Sequence, residues 1–213
     1  MSRTRSNNLR ILPFAALLAT LLIAFLVPSS ARALTIPPPE FKPPDISGIV
    51  KLAKSQLSMR VSENRSNNVP RYRNGKGRVA PFSIGDQWCA AFATWVWDRS
   101  GFDDYLGTRY LRRSHDGTSV AIQVTDLTQW AVRSGHFSYA AMPGFLVVYG
   151  PRHIGIVSEV DRKGRAVLSI EGNKTDRVRT VRVEMEDVTG YISPFTIFPA
   201  LAVSRSSPRA DVD

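Results

Sequence analysis

This chain of 213 residues has no second cysteine, so Cys89 has no partner for an internal disulfide. Only three histidines are present, His115, His136 and His153, and no His/Cys/Asp cluster has zinc-like spacing. Neither a metal nor a cofactor is expected. No run of Lys/Arg alternates with aromatics, and Arg112-Arg113 and the pair Arg177 and Arg179 read as solvated surface. Nucleic acid is therefore not an expected partner. No segment repeats another. Acidic residues are also scarce, with 18 Asp+Glu against 28 Lys+Arg and a formal net charge of +10. Such an excess favours polyanions, which for an exported protein means carboxylate- and phosphate-bearing wall polymers or anionic lipid. The Arg-rich balance is equally compatible with codon bias.

Export is read from the first 33 residues. Arg3, Arg5 and Arg10 precede an apolar run from Ile11 to Val27, and Ala31-Arg32-Ala33 forms a small-x-small cleavage site. The expectation is a signal peptide over 1–33 and an extracytoplasmic mature chain, secreted or held in the cell envelope without stable membrane insertion. The alternative is an uncleaved anchor, since the run is at the short end of what spans a bilayer. Cleavage removes four arginines and no acid, leaving a mature chain of formal charge +6.

Residues 34–45 carry Pro37-Pro38-Pro39 and Pro43-Pro44 and are expected to be a stiff linker. Ile46, Ile49, Val50, Ala53 and Leu57 recur at helical spacing, and Ser62 to Gly77 reads as a loop. Asp86 is positioned to cap a helix with Gln87, Trp88 and Cys89 in its first turn and Gly101 as its stop. That helix is apolar almost all round and should be buried. A further helix is expected from Asp126 to Ser134. Residues 103–123 carry no decisive pattern.

From Gly144 onward the pattern changes to short β-branched and aromatic runs: Phe145 to Tyr149, His153 to Val160, Ala166 to Glu171, Thr180 to Val183 and a short one at Tyr191-Ile192. Their spacing leaves no room for crossover helices, so the sheet should be antiparallel and the domain, 46–199, α+β with N-terminal helices packed on a C-terminal sheet. Residues 200–213 have the composition of a disordered tail.

The chemistry is expected at Cys89. In the first turn of a helix a cysteine sits near backbone N–H groups and the positive end of the dipole, which favour thiolate over thiol and can face the oxygen of a carbonyl under attack. A small buried hydrophobe is the competing reading. His115 and His136 lie in polar loop contexts where a solvated ring is the default. His153 opens a strand in which Ile154 and Ile156 point one way and His153, Gly155 and Val157 the other, a rigid setting for a general base. A third group must hold the imidazole, and Glu171 or Asn173, at the end of the next strand, are the candidates. The alternative is a surface Glu and a turn Asn.

Trp88-Cys89-Ala90-Ala91-Phe92, then His153-Ile154-Gly155-Ile156-Val157, then Glu171-Gly172-Asn173 resemble, in that order, the CHAP family of cysteine, histidine-dependent amidohydrolases/peptidases. The resemblance spans about Ile46 to Pro199. It implies a papain-like fold and cleavage of amide bonds in peptidoglycan, between muramic acid and L-alanine or within the stem peptide or cross-bridge. It also implies Cys89 as nucleophile, His153 as base and Glu171 or Asn173 as its polar partner. Two departures stand out. Phe145 follows Pro143-Gly144 where many members have Asp, and Trp88 intervenes between Gln87 and Cys89 where some members have Gln directly before the cysteine. The rival readings are a non-catalytic wall-binding or scaffold protein that keeps the fold, a secreted protease acting on proteins, and a toxin acting on a competitor's wall.

Overall fold

The structure, a computed structural model, describes residues 46–63, 68–150 and 152–197. The expected signal peptide, the linker 34–45 and the tail 200–213 lie outside the described residues.

Three α-helices are present among the described residues: α1 (Ile46–Ser58), α2 (Cys89–Arg99) and α3 (Val124–Ser134). Each follows from an apolar face. Ile49 and Ala53 of α1 are buried, as are Val124, Leu127, Trp130 and Ala131 of α3. Every residue of α2 from Cys89 to Trp97 is buried, which is what a helix apolar on all sides requires. Two small hairpins flank it. One pairs β1 (Val61–Glu63) with β2 (Pro70–Tyr72), and the other pairs β3 (Leu111–Arg113) with β4 (Ser119–Ala121).

The main sheet contains β5 (Phe137–Ser138), β6 (Leu146–Tyr149), β7 (His153–Asp161), β8 (Ala166–Glu171), β9 (Arg179–Glu184) and β10 (Val188–Ile192). Their spatial order is β5-β10-β6-β7-β8-β9 and every neighbouring pair is antiparallel. The domain is α+β. Period-2 alternation divides the apolar residues between the two faces. Leu146, Val148, Ile154, Ile156, Ile170 and Ile192 join the helices in the larger core cluster, and Phe145, Val147, Val157, Val167, Val183 and Tyr191 form a second cluster.

Two local expectations are corrected. Ser62 to Gly77, read as a loop, holds the β1–β2 hairpin, whose three-residue strands are too short to show alternation. Asp86 does not cap α2: its Oδ1 accepts from the Gln87 N–H at 2.7 Å and its other oxygen faces Arg112 at 3.8 Å, while Trp88 occupies the N-cap. Cys89 is nevertheless the first helical residue.

Candidate active site

Trp88 sets the position of Cys89. Its indole Nε1 donates to Glu63 Oε2 at 2.8 Å, and its ring stacks on Phe82 at 5.5 Å, which also packs edge-on against Phe92 and Trp95. Burial raises the Glu63 carboxyl above its usual range, as does neighbouring Asp176, while the indole bond opposes the shift. The Phe92 N–H closes the first helical bond on Trp88 O at 2.9 Å, which leaves the N–H groups of Cys89, Ala90 and Ala91 outside that ladder. Cys89 itself is 9% exposed and lines a cleft of about 620 Å³. His153 lines the same cleft, as do Gln87, Asn173, Arg152 and residues 122–125.

Glu171 stands beside His153. The imidazole Nε2 lies 2.9 Å from Glu171 Oε2, which commits that nitrogen to the carboxylate, and Cys89 is near enough to act on the protonation of the ring, with Nδ1 the nitrogen left over. Burial alone lowers the imidazole, but the bonds to Cys89 and Glu171 and their charges outweigh it and lift His153 from 6.5 to about 9. His153 is 21% exposed at its side chain and Glu171 not at all. The alternation that puts Glu171 opposite Ile170 thus does not send it to the surface.

Gly155 explains how the carboxylate reaches the imidazole. β7 and β8 pair Ile156 with Ile170, which places Glu171 beside Gly155. A Cβ at Gly155 would collide with Ser169 Oγ and Glu171 Cγ, so the glycine leaves the space that the Glu171 side chain crosses. Gly172 does the same for the strand end, since a Cβ there would meet Phe92 of α2 at 2.5 Å. The two close approaches bring the carboxylate, imidazole and sulfur together from three separate elements.

Tyr149 was not anticipated. It sits directly opposite His153 across the β6–β7 hairpin, with rings 5.4 Å apart, and its hydroxyl donates to the Glu171 carboxylate, 2.6 Å from either oxygen. Burial and the adjacent carboxylate push its phenol well above the usual range, so it stays a donor. Lys174 Nζ donates to the same hydroxyl at 3.0 Å and lies 3.9 Å from Glu171 Oε2. The sequence signal was available, because a hairpin from Tyr149 to His153 faces these two rings.

Asn173 is placed elsewhere. Its Nδ2 donates to Gln87 Oε1 at 2.6 Å, across 86 positions of sequence, rather than to His153. His136, expected to be solvated, is 3% exposed: Nδ1 lies 2.9 Å from Ser193 O, Nε2 lies 3.2 Å from Thr196 Oγ1, and the ring sits 4.6 Å from that of Trp130. Its loop context concealed that the chain folds inward to meet β10. His115 is exposed. Among the described residues no group of three or more His, Cys, Asp or Glu is arranged to hold a metal ion, and no helix is long and apolar enough to cross a membrane.

No family model matches the chain, and no curated protein matches it. Among solved structures, the crystal structure of Ly7917 with the hydrolyzing product of MDP is similar at 16% identity and a TM-score of 0.41. The match covers 70% of this chain and 62% of that one, so it spans less than two thirds of the neighbour's length.

Proposed function

We propose that the protein is a cysteine amidohydrolase or endopeptidase of the CHAP type, with the papain-like arrangement that family implies, acting on amide bonds of bacterial peptidoglycan outside the cytoplasm. The observation that carries the reading is His153 held by Glu171 at 2.9 Å on one ring nitrogen while it shares a cleft with Cys89, which acts on its protonation. The resemblance of the three sequence motifs supplies the wall as substrate, and the positive charge of the chain suits an anionic polymer.

In the first half-reaction the Cys89 thiolate attacks the carbonyl carbon, with the imidazolium of His153 as its counter-ion. The developing oxyanion meets the N–H groups at the start of α2. Gln87 is a second donor: its Oε1 is taken by Asn173, so its Nε2 remains for the oxyanion, despite standing two residues before the cysteine. Nδ1 of His153 then protonates the leaving amine as the C–N bond breaks, leaving a thioester on Cys89. In the second half-reaction neutral His153 takes a proton from water, the resulting hydroxide attacks the thioester carbonyl, and the thiolate departs. Glu171 acts as a positioning residue, orienting the imidazole and stabilising its charged form.

The test is release of new amino groups from purified cell wall by the wild type and by Cys89→Ala. The wild type is expected to release them and the variant not; equal release from both would remove the reading. Mass spectrometry of the fragments identifies the bond, and a casein digest run beside the wall separates a general protease.

A further inference from the structure

We propose that Arg152 forms a carboxylate-binding subsite of the cleft, so that the preferred substrate carries a free carboxylate within a residue or two of the scissile amide. The inference rests on the thiol-hydrolase reading and names the substrate class at that site. Arg152 precedes the base along the chain, lines the same cleft and is exposed. It has no ion-pair or hydrogen-bond partner among the described residues, unlike Arg182, which is held by Asp161 and Glu184, or Arg112, which faces Asp86.

The remaining lining is uncharged apart from the reacting pair: Gln87, Asn173, Gln123 and Thr125 are polar, and Ile122 and Val124 apolar. The carboxylate that holds His153, Glu171, is fully buried and engaged by His153, Tyr149 and Lys174. A cleft whose described lining carries one unpartnered charge, a guanidinium, attracts anions, and the planar fork of arginine matches a carboxylate with two parallel N–H bonds. Arg152 directly precedes His153, whose backbone pairs with Tyr149, and lines the cleft that holds Cys89 and His153.

Alkylation of Cys89 tests this without turnover. Because it is the single cysteine, adducts read by intact mass report this site alone. The ratio of rate constants for anionic iodoacetate and neutral iodoacetamide is measured at neutral pH in the wild type, Arg152→Ala and Arg152→Lys. The ratio is expected to fall roughly three- to tenfold in Arg152→Ala, the effect of one charge several ångströms away in a half-solvated site, and to recover in Arg152→Lys. A second arm compares wall-derived peptides bearing a free carboxylate or a carboxamide beside the cleaved bond, where Arg152→Ala should raise KM for the carboxylate form only. An iodoacetate ratio unchanged by Arg152→Ala, alongside intact wall hydrolysis, overturns the subsite alone. An Arg152-dependent ratio in a protein that leaves the wall uncut retains the anion site and removes the hydrolase reading.

Discussion

Replacing Glu171 with Gln isolates the electrostatic part of the site. Gln keeps the volume and an oxygen that can accept from Nε2–H at the present 2.9 Å, but removes the negative charge from a fully buried position. His153 is lifted to about 9 by Cys89 and Glu171 acting against its burial, so losing Glu171 lets the value fall toward 6.5 while the Cys89 contribution stays in place. The protonated ring is the form that pairs with the thiolate and protonates the leaving amine. Wild-type activity should therefore persist up to about pH 9 and decline above it, whereas the variant should decline from near neutrality. At pH 8 the protonated fraction then differs by roughly thirtyfold, an upper bound because Cys89 still supports the charge. Stability follows the same sign. A raised folded value gives stabilisation that is complete below 6.5 and lost as pH rises through about 9. The interval corresponds to about 3 kcal/mol. The assay is kcat/KM against pH, with NMR titration of the His153 ring as a parallel measure. An alkaline limb that remains at about 9 in Glu171→Gln would refute the assignment of Glu171.

Tyr149→Phe removes the hydroxyl that donates to buried Glu171 at 2.6 Å and should cost about 1–3 kcal/mol in urea unfolding, with a lower kcat. Gly155→Ala places a methyl against Glu171 Cγ and Ser169 Oγ, so activity should drop more than about tenfold as the carboxylate is displaced, with about 1–3 kcal/mol lost from stability. Wild-type activity in that variant would show that Glu171 has no need of the space. Trp88→Phe keeps the aromatic packing on Phe82 but leaves Glu63 without its indole donor, at a cost of about 1–3 kcal/mol read by thermal melting.

Where periodicity is strong, the sequence already contained the fold. The apolar runs around α2, β7 and β8 fall within a residue or two of the observed elements, because each buries a whole face and a slip would expose it. The hairpins β1–β2 and β3–β4 were not legible, since three-residue strands take their pairing from the main body rather than from alternation. Cys89, His153 and Glu171 could be singled out by residue type and strand position. The choice between Glu171 and Asn173 could not be made, because it depends on Gly155 opening a path for one side chain and on Gln87 arriving from 86 positions away to bind the other. Glu171 was also unexpected as a buried group: a carboxylate survives there because Tyr149, His153 and Lys174 surround it, and that is a property of three-dimensional pairing.

The account stands on Cys89 attacking an amide carbonyl, and the measurement closest to that step is rapid acid quenching of the enzyme mixed with soluble wall peptides, followed by mass spectrometry of the peptide containing Cys89. The expected result is an acyl group of the substrate on that sulfur, labile to hydroxylamine and absent from Cys89→Ala. Turnover with no adduct on Cys89, undiminished in Cys89→Ala, would contradict it.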